Sequence, residues 1–167
     1  VRVPLVLTGP PAVGKTTAGR ALAASLRQGA YVDVDDIRHL VVAGHAAPWH
    51  GPEGIRQQLL GVRNACLLAR QLGAAGFSTV VADVVTARTL AVYRELLPGC
   101  LVVRLRVSPE EARRRAATRP VHLTAAEFER LHAEDAAAGL DVDTELDATC
   151  LPLRRLVEEL AAMWSAR

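Results

Sequence analysis

Gly9-Pro10-Pro11-Ala12-Val13-Gly14-Lys15-Thr16-Thr17 satisfies the Walker A pattern G-x-x-x-x-G-K-[ST] without a mismatch. The apolar run Val3 to Leu7 before it has the length of a strand. The segment after it, Ala18 to Arg27, carries Leu22 and Leu26 four apart, a helical spacing. A strand, a glycine loop and a helix in that order is what a phosphate cradle requires. Gly9 and Gly14 let the backbone curl until successive N–H groups converge on an anion. The free N–H groups and dipole of the following helix favour the same negative charge. On this reading Gly9, Pro10, Ala12, Val13, Gly14 and Thr17 shape or line the cradle. Lys15 reaches the β- and γ-phosphates, and the Thr16 hydroxyl ligates Mg²⁺.

The chain has 20 basic residues, of which 19 are arginine and one is lysine. That lysine is Lys15. A compact ammonium on a flexible stem fits inside such a loop where a planar guanidinium is not an equivalent group.

The 167 residues suffice for one domain with a central sheet covered on both faces. No apolar run approaches the ~18 residues of a membrane span, so no membrane partner is expected. A net charge of +2, without one long basic patch, argues against a nucleic-acid partner. Val1 to Leu7 has one charge and no cleavage site, so no secretory signal is read there. Cys66, Cys100 and Cys150 are odd in number and set in apolar surroundings, which predicts buried reduced thiols in a cytoplasmic protein. The expected assembly is a monomer or homodimer.

Apolar runs alternate with helical patterns along the whole chain. Strands are expected at Val3–Leu7, Ala30–Val34, Ser78–Ala82, Cys100–Val107 and Leu140–Asp143. Helices are expected at Gly14–Arg27, Asp36–Val42, Gly54–Gly73, Ala87–Leu96, Pro109–Thr118, Ala125–Ala137 and Pro152–Ser165. This alternation predicts an α/β fold, a parallel sheet with helices on both faces. Ligands on such sheets sit beyond the carboxyl ends of the strands.

The second strand ends in Asp33-Val34-Asp35-Asp36. Carboxylates at i and i+2 leave a strand on one face, so Asp33 and Asp35 can both look into the cleft. Phosphoryl transfer needs one group to orient and deprotonate an acceptor hydroxyl and another to hold hydrated Mg²⁺. Asp35 suits the base and Asp33 the metal, while Asp36 suits the cap of the next helix. The third strand ends in Asp83, the shape of a Walker B strand, so Asp83 competes with Asp33 for the metal and also faces the acceptor. Thr86 is placed to cap the helix that follows.

The stretch between Leu40 and Glu53 is rich in Gly, Pro, His and Trp. Trp49 can stack on a ring or sugar face, or pack as a lid over helix ends. His45 or His50 can donate hydrogen bonds, and Arg38, Arg56 and Arg88 can bind polar groups of an acceptor. The acceptor-binding segment is thus expected over about 36–60. Further on, Arg113, Arg114, Arg115 and Arg119 crowd a helix that runs into the break at Pro120, which predicts a lid over about 113–130. Arg115 and Arg119 share a helical face, whereas Arg113 and Arg114 can pair with Glu110 and Glu111. An arginine delivered by a lid stabilises the charge spread over a transferring phosphoryl group.

These motifs together resemble the small P-loop kinases of the gluconate kinase, shikimate kinase and chloramphenicol phosphotransferase group. The resemblance covers most of the length in scattered motifs. Asp33-Val34-Asp35 resembles the acidic segment these enzymes use for Mg²⁺ and acceptor. Arg115-x-x-x-Arg119-x-x-His122-Leu123 is similar to the lid of gluconate kinases, which implies Arg115 against adenine and Arg119 on the phosphates. Val142-Asp143-Thr144 and the helix with Pro152 resemble the last strand and the adenine-side loop. The group implies a three-layer P-loop NTPase fold with a five-stranded sheet in the order 2-3-1-4-5 and a small closing lid. The Trp49/His50 loop departs from its acceptor pockets.

The expectation is a single P-loop kinase domain that uses ATP and Mg²⁺ to phosphorylate a hydroxyl of a small molecule, a sugar acid, an antibiotic or similar. Lys15, Asp35 and Arg119 are its catalytic candidates. A nucleoside or nucleotide kinase is the nearest rival, with Trp49 stacking on the base. A non-catalytic nucleotide switch is the rival of another class, although N-K-x-D and D-x-x-G are both missing from the sequence.

Overall fold

The computed structural model describes residues 2–118 and 123–167. Its five strands are β1 (Leu5–Thr8), β2 (Gly29–Asp33), β3 (Ser78–Ala82), β4 (Leu101–Arg106) and β5 (Thr144–Asp147). The helices are α1 (Lys15–Ala24), α2 (Val34–Arg38), α3 (Gly51–Ala74), α4 (Ala87–Leu96), α5 (Pro109–Ala117), α6 (Ala125–Ala137) and α7 (Leu153–Ser165). The sheet runs β2-β3-β1-β4-β5, and every neighbouring pair is parallel. This is the expected α/β architecture and strand order.

Strand periodicity divides the core into two layers. In β1, Leu5 and Leu7 face α1 and α7, in company with Val80, Val103, Leu22 and Leu160. Val6 between them points the other way, toward α3 and α4, and packs with Val81, Val102, Val62 and Tyr93. Both faces of a parallel sheet are covered, so its strands read as continuous apolar runs rather than alternating ones. Trp164 closes the α7 side, buried with its indole N–H donated to the Val3 carbonyl at 2.7 Å. Truncating a buried aromatic of this kind costs roughly 3–5 kcal/mol.

Helix α1 ends at Ala24, three residues short of the expected Arg27, and three further elements depart from the sequence expectation. The helix expected over 36–42 begins at Val34 and stops at Arg38, because the Asp33 carboxylate accepts the Asp35 N–H and is itself the cap. Asp36 is therefore not the cap, and Asp35 belongs to a helical first turn rather than to a strand face shared with Asp33. Helix α3 starts at Gly51, ahead of the expected Gly54, with proline in its first turn where a missing N–H does no harm. The last strand lies at Thr144–Asp147, not Leu140–Asp143. It is an edge strand whose side chains are exposed or half-buried, so hydrophobicity marks the approach to it instead. Asp143 binds both backbone groups of Val102, and the strand register begins only after it.

Cys66 and Cys100 are buried as expected, but Cys150 is exposed in the β5–α7 loop. Among the described residues no helix is long and apolar enough to cross a membrane.

Candidate active site

The β1–α1 loop is built around three residues in left-handed backbone. Gly9, Ala12 and Gly14 have φ of 134°, 64° and 102°. At Gly9 glycine is also required by space, since a Cβ would lie 2.3 Å from the Leu105 carbonyl oxygen. The carbonyls of Gly9, Pro10, Pro11, Val13 and Gly14 are all engaged. Lys15 Nζ donates to Gly9 O at 2.7 Å and Pro10 O at 2.9 Å. His132 meets Pro11 O at 2.9 Å, Arg115 Nη1 donates to Val13 O at 2.9 Å, and Gly14 O accepts the Ala18 N–H. Helix α1 starts with no side-chain cap and no acid in its first turn, so its leading N–H groups and dipole are uncompensated.

Carboxylates face this loop from the ends of β2 and β3. Asp33 accepts from the Tyr31 hydroxyl at 2.7 Å, with the Thr16 hydroxyl 3.4 Å from the same oxygen. Asp83 is 7% exposed and accepts from Tyr93 Oη at 2.9 Å and the Val84 N–H at 2.8 Å. Burial pushes its carboxyl up to about 6. Asp35 is exposed and holds Arg38 at 2.7 Å. Burial lowers the pKa of Lys15, and Asp35, Asp83, Asp33 at the sheet edge and Asp135 of α6 oppose that shift, in that order. One ammonium and three carboxylates thus share one field at the carboxyl edge of the sheet.

Helices α5 and α6 reach the same loop through Arg115 and His132. Arg115 bridges Val13 O and Ala148 O, 2.9 Å each, so it spans from the glycine loop to the β5–α7 loop that leads to the exposed Pro152. Its Nε donates to Glu111 at 2.6 Å; Arg114 binds the same carboxylate, and the two guanidinium groups hold it down to about 2. Arg113 pairs with Glu129 of α6 rather than with Glu110 or Glu111. Arg119 and His122, the remaining lid candidates, lie outside the described residues.

The acceptor segment is less regular. Thr86 caps α4 with a reciprocal bond from Thr89, as expected. Trp49 is half-buried, with the Arg130 guanidinium 5.2 Å from its ring centre and His50 edge-on at 6.1 Å. Arg56 is exposed and bound by both nitrogens to Glu53 at 2.7–2.8 Å, while Arg88 and His45 are simply exposed. Among the described residues no cluster of three His, Cys, Asp or Glu side chains is arranged to hold a metal ion.

Four positions carry weight that the sequence reading did not assign. Gln57, 5% exposed, takes the Ala46 N–H and gives its amide to Gly44 O and Glu53, which pins the loop before α3. Arg104 of β4 forms a buried ion pair with Asp135 of α6 at 2.6 Å and a second with Glu145 at 2.9 Å. His132 touches the glycine loop, and Tyr93 holds Asp83. Only Arg104 leaves a sequence signal: a charge inside the run Leu101-Val-Val-Arg104-Leu must be paired if the strand is central.

No family model and no curated protein sequence matches the chain. Solved structures do match its shape. An unliganded sugar kinase from Janibacter sp. HTCC2649 superposes with a TM-score of 0.74 at 20% identity, covering 99% of this chain and 95% of that one. Shikimate kinase from Acinetobacter baumannii, solved with shikimate, gives 0.70 at 22% identity, with 99% and 94% covered. A gluconokinase from Sinorhizobium meliloti 1021 gives 0.69 at 19% identity, with 99% and 97% covered. The chain has the fold of the small P-loop kinases. At these identities the match establishes architecture, and the chemistry must be argued from the site.

Proposed function

We propose that this chain is an ATP- and Mg²⁺-dependent kinase that transfers the γ-phosphoryl group to a hydroxyl of a small molecule. The observation that carries the reading is the meeting of Lys15, Thr16 and three carboxylates at one sheet edge, with an uncapped helix start behind them. Backbone N–H groups from Ala12 to Thr17 bind the phosphates, and Lys15 turns from Gly9 O and Pro10 O to the β- and γ-oxygens. The Thr16 hydroxyl and Asp33 offer hard oxygen donors on one side of the cleft, and Asp83 supplies a further carboxylate. That set fits Mg²⁺, which takes one or two protein ligands and keeps its waters and phosphate oxygens. When bound, the ion neutralises charge between the β- and γ-phosphates.

Asp35 is the base in this account. Exposed and, among the described residues, paired with Arg38 alone, it can release that partner and accept the proton of an incoming hydroxyl. Arg119, from the lid segment, stabilises the transferring group, and Arg115 and Pro152 border the nucleobase side. Arg38, Trp49, His50, Arg56, Asp83 and Arg88 form the acceptor side, within segment 36–60, the end of β3 and the start of α4, and the lid spans 113–130. The protein works in the cytoplasm. The half-buried Trp49 ring under Arg130 also favours a second reading, in which the acceptor carries a nucleobase.

The test is an ADP-release assay with a panel of sugars, sugar acids, hydroxylated antibiotics and nucleosides. Release stimulated by one class supports the kinase and names its acceptor, and stimulation by nucleosides alone selects the second reading. Tight ATP binding with no stimulation by any class would point to a nucleotide switch.

A further inference from the structure

The cradle has an unusual donor set. Pro10 and Pro11 have no N–H, so after Gly9 the first amide able to donate to a phosphate is that of Ala12. Ala12 is a non-glycine residue at φ 64°, a conformation that costs an L-residue roughly 1–2 kcal/mol. Something outside the loop must hold it there. In a planar trans peptide the C=O and N–H point in opposite directions, so the Pro11 carbonyl and the Ala12 N–H move as one unit. A Pro11 oxygen fixed on the outer side of the loop turns the Ala12 N–H inward.

His132 supplies that outer contact. Its Nε2 lies 2.9 Å from Pro11 O, and a carbonyl only accepts, so Nε2 carries the hydrogen. Helix α6 holds the ring in place from both neighbouring turns, one in contact with it and one anchoring the helix to the sheet. Phe128, one turn before it, stacks with centroids 4.4 Å apart. Asp135, one turn after it, is tied to Arg104 in an ion pair whose side chains are 6% and 8% exposed. Burial lowers the imidazole pKa, which favours the neutral ring as a donor at neutral pH. On the reading that the loop binds ATP, Lys15 leaves the Gly9 and Pro10 carbonyls for the phosphates. Among the described residues, the side-chain contacts to loop carbonyls that remain are His132 on Pro11 O and Arg115 on Val13 O, one from α6 and one from α5.

We propose that His132 is a positioning residue: by holding the Pro11 carbonyl, it aims the Ala12 amide at the phosphates and couples helix α6 to nucleotide binding. Arg104 and Asp135 act through it by fixing the helix turn that presents it.

The test is calorimetric titration of MgATP into the whole chain and its variants, with melting temperature recorded for each. His132→Leu keeps the packing against Phe128 and removes the donor; affinity should fall roughly tenfold, the size of one functional hydrogen bond. His132→Gln restores a donor and should bind within about threefold of the parent. In an Ala12→Gly background the strained residue is gone, so the loss caused by His132→Leu should shrink to less than about threefold, a coupling that a merely stabilising histidine would not show. If His132→Leu does not fold, His132→Asn, whose amide is too short to reach, replaces it. Parent-like affinity in the donorless variant, equal losses for Gln and Leu, or an undiminished loss in the Ala12→Gly background would overturn the proposal. A Lys15→Ala control separates the two readings: if it binds MgATP as the parent does, the loop is not the nucleotide site and the kinase reading fails first.

Discussion

The two sides of the cleft are made differently. The proposed phosphate side is a backbone construction: the carbonyls of Gly9, Pro10, Pro11, Val13 and Gly14 are held by Lys15, His132, Arg115 and the Ala18 N–H. The proposed acceptor side is a side-chain construction, a loop from His39 to His50 held by Gln57, with Trp49, His50 and several arginines beside it. Backbone recognition suits a ligand part that is always the same, because N–H groups do not change with sequence. Side-chain recognition on a loop suits the part that differs between enzymes of one fold.

The contrast can be broken by variants that touch one side only. Lys15→Ala should strike the phosphate side hardest, lowering kcat by about 10³-fold, measured as ADP release at saturating acceptor. Asp35→Asn should lower kcat by about 10²–10³-fold while the MgATP affinity from calorimetry stays near that of the parent. Near-parent kcat in that variant would move the base role to Asp33 or Asp83.

Asp83 sharpens the comparison through pH. Its carboxyl is raised from the ordinary 3.8 to about 6 because it is buried. A raised carboxyl means the folded state holds a proton that the unfolded chain has lost, so stability falls as pH rises from about 4 to about 6 and is level above. The cost of the buried charge at neutral pH is on the order of 3 kcal/mol. Asp83→Asn keeps acceptor and donor atoms for the Val84 N–H and Tyr93 Oη. It should flatten the pH dependence of the melting temperature in that window and raise the melting temperature at pH 7. An unchanged slope between pH 4 and 6 would show that another group titrates there.

The smallest effect is expected on the acceptor side. Gln57→Leu leaves the Ala46 N–H and Gly44 O without partners, at roughly 1–3 kcal/mol. The loop should loosen, so acceptor KM rises severalfold in the ADP-release assay while ATP affinity holds. A matching loss of ATP affinity would show that the two sides are not independent.

The same division governs what the sequence reveals. The cradle is legible because its rule is local: glycines where φ is positive, a lysine, a hydroxyl, and a strand and a helix on either side. The sheet is legible because its central strands are continuous apolar runs. β5 was misplaced by four residues because Thr144, Glu145 and Asp147 are polar on an exposed edge. The cap at Asp33 was missed because three acids stand in one run of four residues and only geometry selects among them. His132 acts on backbone 121 residues away and Gln57 on an irregular loop 11 to 13 residues back, and no spacing rule links either to its partner. Arg104 was visible as a charge in an apolar strand, but its partner on α6 was not.

The most direct test of the central claim is ³¹P NMR of the purified chain with MgATP and the acceptor panel. The account predicts a new phosphomonoester resonance that grows with ADP in equal amounts, only when a productive hydroxyl compound is present, and not with Lys15→Ala. ADP appearing with inorganic phosphate at the same rate whatever acceptor is supplied would contradict it.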